Sequence, residues 1–481
     1  MENIVLQKGI KWNLISSFVL AIGSIVQVIF VTRTLSNIDM GIAVIAESVS
    51  GFGLRFVDLG ISNAIVQKKE INNTELDSLF SLNILFGCFF SLSFFFSAPF
   101  IGDYYEEERI TSAVKILSLM FIISSLGQQN RALLQRTLNF SLLAKIDMAS
   151  FLLSFFCTII YLLFYNSYMC IIWGTLTRHF ISALLLIVFS PFSKRKRNFS
   201  IKISKITYFI KFGSYQILSS FFELLIYQVD ILLVGKLNGI AFAGMYGSIK
   251  QFLLRPAQLL NPVFTKVFFP AIAKVQDEKI MLKTFFLDAL NLVVFFNSII
   301  YVLLFTVPTQ ILTLLSGDRW FGNEILFQLL CIYSFSISTG NPTGILLSAK
   351  GKTNIAFFWT AGVLLLTIIF IYFCSLFIGK NSTAVAILSL QLFLIYPNYK
   401  LLINQFIDLS FKEYFINLYK ALFYAVVSFI LPFIIIHYYK VDSDIITLLL
   451  ICIGFTSYIS LVYWKDKKTI FYIYNILSIK I

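Results

Sequence analysis

Apolar runs long enough to cross a bilayer recur along nearly the whole chain, separated by short polar breaks. About fourteen can be marked, near 12 to 33, 40 to 66, 78 to 101, 111 to 134, 142 to 164, 167 to 190, 207 to 235, 241 to 272, 285 to 306, 324 to 349, 355 to 377, 381 to 403, 415 to 437 and 444 to 464, each near the ~20 apolar residues that a spanning helix needs. Hydrocarbon offers no partner to an open backbone, so each run is expected to be an α-helix. The pattern predicts an all-α polytopic membrane protein with almost nothing left over for a soluble domain. The first run follows Lys8 and Lys11. It is too long for the core of a signal peptide and lacks a small-residue cleavage site, so it is expected to stay attached as the first helix.

Composition strengthens this picture. Of 481 residues, 58% are hydrophobic and 13% charged, against ~25% charged in soluble domains; the mean hydropathy is +0.85. Six cysteines (Cys88, Cys157, Cys170, Cys331, Cys374, Cys452) stand alone in apolar runs, without the paired spacing of a metal or redox site, and read as packing residues. No cofactor and no metal are expected.

Charge orients the spans. Alternate loops carry Lys68 and Lys69, then Arg131, Arg136 and Lys145, then Lys194, Arg195, Lys196 and Arg197, and later Lys266, Lys274, Lys350, Lys352, Lys400 and Lys412. The opposite loops are neutral or acidic, with Asp103, Glu106, Glu107 and Glu108 together. By the positive-inside rule both termini lie in the cytoplasm. The net charge of +14 then belongs to the cytoplasmic face, where contact with anionic lipid explains Lys194 to Arg197 without a nucleic acid.

Two stretches echo each other at an offset of about 200 residues. Ile10-Lys11-Trp12 opens a span ending at Leu35-Ser36-Asn37, followed by Met40-Gly41; Ile210-Lys211-Phe212 opens one ending at Leu237-Asn238-Gly239, followed by Ala243-Gly244. Both copies run in the same sense, which predicts a parallel repeat about an axis along the membrane normal, a common plan for secondary transporters. The expected division is an N-terminal lobe of six helices over 1–192, a basic linker over 193–206, a C-terminal six-helix lobe over 207–410, and an appended helix pair and cytoplasmic tail over 411–481.

Ionisable residues within the spans are the candidate chemistry. Glu47, Arg55 and Asp58 lie on the second span, Glu223 and Asp230 on the seventh, Lys250 and Arg255 on the eighth. Glu47 and Lys250 occupy matched positions in the two copies, which suggests an ion pair across the axis. Each charge inside the bilayer costs about 2.5–3.5 kcal/mol or more. Either these groups only lock helices together, or they line a wet cavity; as a group they favour the cavity. Arg55 and Arg255 present planar donor forks suited to phosphate. The carboxylates, Asp230 and Glu223 first, are suited to bind Na⁺ or exchange a proton. Pro256, directly after Arg255, with Pro262 and Pro270 beyond it, is expected to help that helix bend. His179, beside Arg178, reads as a packing histidine ahead of a proton relay. Ala349-Lys350-Gly351-Lys352 lacks the glycine spacing of a phosphate loop.

Phe56-Val57-Asp58-Leu59-Gly60-Ile61-Ser62, then Ala64-Ile65-Val66-Gln67 and Glu75-Leu76 leading into Leu82-Asn83, resemble the first half of the polysaccharide transporter flippases. Tyr227-Gln228-Val229-Asp230, Leu232-Leu233-Val234-Gly235-Lys236, Gly244-Met245-Tyr246, Arg255-Pro256 and Phe269-Pro270 resemble the second. The likeness is strongest over about 10 to 90 and 205 to 280 and rests on hydropathy elsewhere. It implies the multidrug/oligosaccharidyl-lipid/polysaccharide exporter fold, with two helical lobes about a cationic cavity. It also implies translocation of an undecaprenyl-diphosphate-linked oligosaccharide, the repeat unit of O-antigen, capsule or exopolysaccharide, to the outer leaflet of a bacterial plasma membrane. Carried onto this chain, Arg55 and Arg255 would engage the diphosphate with Lys250 assisting, and Tyr215, Gln216, Tyr227 and Gln228 would contact sugar hydroxyls. No catalytic residue is implied; other glycan-assembly proteins are natural partners. Two alternatives stay open, a small-molecule multidrug exporter of the same superfamily and a membrane enzyme that polymerises or ligates lipid-linked glycans. The first would favour a carboxylate-dominated cavity and the second a large external loop.

Overall fold

The computed structural model describes residues 2–57, 62, 65, 68, 70–194, 199, 202–377, 379–439 and 443–466. Among them sixteen α-helices follow one another: α1 Glu2–Thr34, α2 Asn37–Val57, α3 Asn73–Tyr105, α4 Glu108–Arg136, α5 Phe140–Tyr165, α6 Met169–Phe189, α7 Ile203–Leu237, α8 Ile240–Lys274, α9 Lys279–Thr306, α10 Pro308–Ser316, α11 Glu324–Ser338, α12 Asn341–Ala349, α13 Thr353–Phe377, α14 Ser382–Asn398, α15 Phe411–Tyr438 and α16 Asp444–Lys465. Ten candidate spans among the described residues are long and apolar enough to cross a membrane. The chain is a multi-pass all-α membrane protein.

Helix ends follow from local chemistry. Asn72 and Glu75 form a reciprocal capping box at the start of α3, Ser410 caps α15 through Glu413 N–H, and Glu106 ends α3 in a left-handed conformation at φ 56°. Two details depart from the fourteen-run pattern. The run near 324 to 349 is broken into α11 and α12 around Thr339-Gly340, with Pro342 in the first turn of the second piece, and α10 is a short helix that hydropathy alone did not mark. After Pro397, α14 passes into a π-helical turn over Tyr399–Ile403. Arg131 and Arg136, assigned from sequence to a loop, belong to α4.

Packing divides the chain into two compact units, Met1–Ser248 and Ile249–Ile481. In the first, α4 packs on α3, α6 and α2, α5 packs on α1 and α6, and α7 lies against α2 and α3. The beginnings of α2 and α8 touch backbone to backbone. A Cβ on Gly41 would lie 2.0 Å from the Ile240 carbonyl oxygen, and one on Gly244 would lie 2.3 Å from that of Asn37. Matched positions of the repeat thus meet where only glycine fits. Around the same ends, Arg109 pairs with Glu107 at 2.8 Å and Asp39 at 3.4 Å, and Lys236 with Glu106 at 3.1 Å, tying together the ends of α2, α3, α4 and α7. In the second unit, α15 packs on α9 and α16; Phe295, Phe429 and Tyr458 fill that seam, with the Tyr458 hydroxyl donating to the Phe295 carbonyl at 3.0 Å.

Candidate functional site

The candidate residues distribute over α2, α7 and α8. On α2, Glu47 is half-buried and accepts a hydrogen bond from the Thr175 hydroxyl of α6 at 2.5 Å. One residue on, the Ser48 hydroxyl donates to Gln228 Oε1 of α7 at 2.9 Å. Arg55 stands in the last turn of α2. Its side chain and all of Asp58 lie outside the described residues, as do the side chains of Tyr215 and Gln216 in the first half of α7.

The second half of α7 holds the most enclosed carboxylate of the set. Asp230 has no exposed surface; its Oδ2 accepts from the Tyr246 hydroxyl of α8 at 2.6 Å and its Oδ1 from the Ile231 N–H at 2.9 Å. Donors of this kind offset the large cost of burying a carboxylate. Tyr227 and Gln228 are half-buried, whereas the Glu223 side chain is exposed. Of the three acidic candidates whose side chains are described, Glu47, Glu223 and Asp230, Asp230 alone is sealed.

In the second unit, Lys250 is 1% exposed and its ammonium stands 5.6 Å from the centre of the Tyr333 ring of α11, a cation–π contact that compensates part of its lost hydration. Nearby, the Tyr301 hydroxyl of α9 donates to the Leu253 carbonyl at 2.9 Å. Arg255 is half-buried and donates to Gln258 Oε1, one turn along, at 3.3 Å. The helix carries Pro256, Pro262 and Pro270 and remains α-helical from Ile240 to Lys274.

Partners such as Thr175, Ser48, Tyr246 and Tyr333 escaped sequence reasoning, because their role depends on which helices are neighbours. His179 accepts or donates at Nδ1 to the Ser124 hydroxyl, 2.9 Å away, the satisfied position of a packing histidine. The six thiols are all unpaired. Among the described residues no group of three His, Cys, Asp or Glu could hold a metal ion.

Comparison with known proteins adds what the helices alone leave open. Residues 30–323 match the family described as "Polysaccharide biosynthesis protein". The chain is 27% identical over 432 residues to the lipopolysaccharide biosynthesis protein WzxC of Escherichia coli (strain K12), covering 89% of this chain and 86% of that protein. Its fold is similar to that of the lipid II flippase MurJ in an inward closed conformation, with TM-score 0.70 and 17% identity over 94% of this chain and 98% of the other. It is also similar to a multidrug resistance MATE family transporter of the MOP superfamily in an inward-facing conformation, with TM-score 0.58 and 13% identity over 82% and 92%. The architecture is the one these MOP transporters share.

Proposed function

Because the chain belongs to the polysaccharide biosynthesis protein family, we propose that it is a flippase that carries an undecaprenyl-diphosphate-linked oligosaccharide from the cytoplasmic to the outer leaflet of a bacterial plasma membrane, with both termini in the cytoplasm. The observation that carries this reading is the conjunction of that family with the fold of a lipid flippase across 94% of the chain. A fold alone does not assign an activity; a glycan-assembly family on a transporter fold narrows it to moving a glycan intermediate.

The mechanism proposed is alternating access. The head group enters from the cytoplasm, Arg55 and Arg255 offset the diphosphate charge with help from Lys250, and the lipid tail stays in the bilayer. Arginine suits this task because its fork binds phosphate oxygens in pairs and keeps its charge throughout the cycle. Tyr215, Gln216, Tyr227 and Gln228 supply hydroxyl and amide groups for sugar contacts. Glu47, Asp58, Glu223 and Asp230 are the groups from which a Na⁺ or proton coupling site would be drawn. No bond in the substrate is made or broken.

The test is glycan export in a strain deleted for this gene, scoring surface polysaccharide and the leaflet in which the lipid-linked oligosaccharide accumulates. The intermediate trapped on the cytoplasmic side is the expected result. Complete units stranded unpolymerised or unligated on the outer leaflet would point to an enzyme, and normal surface glycan to an exporter of small molecules. On complementation, Arg55→Ala and Arg255→Ala are expected to abolish export at normal membrane abundance; wild-type export by both variants would remove them from the diphosphate site.

A further inference from the structure

Arg178 is the tenth of the 21 residues of α6, so at ~1.5 Å per residue it lies about 14 Å from one end of the helix and about 16 Å from the other. Its side chain is exposed, yet it cannot reach either membrane surface from that depth. Nor does it face lipid. Trp173, Phe180, Leu184 and Val188 are exposed apolar residues along one side of α6, and Thr175, Arg178, His179 and Ser182 occupy the other, at the i, i+3, i+4 and i+7 spacing of a single face. Every other member of that polar face is engaged inward. Thr175 donates to Glu47 of α2, His179 meets Ser124 of α4, and Ser182 accepts from Arg131 of α4 at 3.1 Å. Arg178 therefore stands on the face of α6 that meets α2 and α4, with Phe151 of α5 beside it.

Among the described residues two carboxylates and two guanidiniums lie along this face, but only one pair of them is in contact. Asp147 of α5 gives both oxygens to Arg131, at 2.5 Å and 3.3 Å. Glu47 is turned to Thr175. Arg178 lies 5.7 Å from the centre of the Phe151 ring, and among the described residues no carboxylate stands within ion-pair distance of its guanidinium; Asp147, Glu47 and Arg131 act on it only at longer range. An exposed guanidinium at mid-helix depth, beside an aromatic ring and with no carboxylate in ion-pair reach among the described residues, is suited to receive an anion.

We infer that Arg178, with Ser182 one turn along α6 and Arg131 of α4 bonded to that serine, forms an anion subsite inside the first unit that takes a phosphate or carboxylate group of the transported head group. The assignment rests on the flippase reading for the identity of its ligand and on geometry for its existence. It adds to the substrate-binding set a helix, α6, that the charged spans α2, α7 and α8 do not include.

The experiment measures binding to the full-length protein in lipid nanodiscs, with undecaprenyl diphosphate, inorganic pyrophosphate and glucuronate as anionic probes and undecaprenol and glucose as neutral ones. Wild type, Arg178→Gln and Arg178→Lys are compared, with thermal unfolding followed in parallel. A charge-assisted contact of ~1.5–3 kcal/mol corresponds to about 10-fold to 100-fold in Kd, so Arg178→Gln is expected to weaken at least one anionic probe tenfold or more, with the neutral probes unchanged and Arg178→Lys intermediate. Loss confined to the two diphosphates assigns the subsite to the lipid-linked phosphate, and loss confined to glucuronate assigns it to an acidic sugar. Should Arg178→Gln fail to fold, the selective loss is read from Arg178→Lys. Unchanged anion binding by the folded variants overturns the subsite while leaving the flippase reading intact. A wild type that binds glucuronate but neither undecaprenyl probe retains the subsite and sinks the flippase reading, and a wild type that binds no anion overturns the subsite as well.

Discussion

At Asp230 a carboxylate with no exposed surface is held by the Tyr246 hydroxyl and a backbone N–H. If it carries the coupling ion proposed above, Asp230→Asn leaves transport without dependence on a Na⁺ or proton gradient; a gradient response equal to wild type would take Asp230 out of that role. Outside the membrane spans, Glu107 is held below the usual carboxylate range, first by its side-chain hydrogen bond from Arg109. A depressed folded-state pKa means that this contact stabilises the fold above the ordinary glutamate range and is lost as pH falls through the lower folded value. Thermal unfolding of wild type against Glu107→Gln should therefore converge in acid and diverge toward neutrality, by a modest amount because Arg109 is well solvated. The sequence announced both acidic residues but neither partner. Asp230 stood out as a charge in an apolar run, whereas Tyr246 entered only as part of the motif Gly244-Met245-Tyr246 with no role of its own, and it is the hydrogen bond between α8 and α7 that gives it one.

Among helices, what was legible was length and apolarity, and what was not was interruption and contact. Among the described residues most of the marked runs correspond to single helices, because ~20 apolar residues leave the backbone no alternative in lipid. The break between α11 and α12 has a local cause in Gly340-Asn341-Pro342, but hydropathy averages across it. Contacts between helices in a membrane rest on close packing and small residues rather than on escape from water. The approach at Gly41 and Gly244 is the clearest case. Gly41→Val or Gly244→Val would drive side-chain atoms into a carbonyl of the facing helix, and is expected to destabilise by ~1–3 kcal/mol or more. Gly344→Val, with nothing within 4 Å of its Cβ position, is the control. Equal melting temperatures for Gly41→Val and Gly344→Val would show that the crossing can widen at little cost.

For the molecule as a whole, the distribution of lysine and arginine over alternate loops predicts which face is which. In a background lacking the six native cysteines, Glu108→Cys is expected to react with an impermeant maleimide on intact cells and Lys196→Cys only after permeabilisation; the reverse pattern would invert the orientation. The repeat near 10 and 210 pairs α1 with α7, helices of 33 and 35 residues, and α2 with α8. It could not foretell that α7 would pack within the first unit, against α2 and α3, because side-chain fit across helices leaves no periodic trace. The polar face of α6 was in the sequence all along, at 175, 178, 179 and 182, but its meaning depended on Glu47, Ser124 and Arg131 arriving opposite it.

The interrupted crossing bears on how the chain is made. As 15 residues, α11 reaches about 22 Å, and α12 as nine residues about 13 Å, so neither piece alone matches a hydrocarbon layer of ~30 Å. Leaving the ribosome, the 26-residue stretch 324–349 can enter the bilayer only as one continuous helix or in the company of neighbours that shelter its open turn. The Asn341 amide donating to Thr265 of α8 at 3.2 Å and the packing of α11 on α9 and α14 exist only once those helices are in place. Biogenesis of this crossing therefore waits on its surroundings, and a chain truncated before α14 should present to the quality-control proteases a segment still searching for its membrane depth.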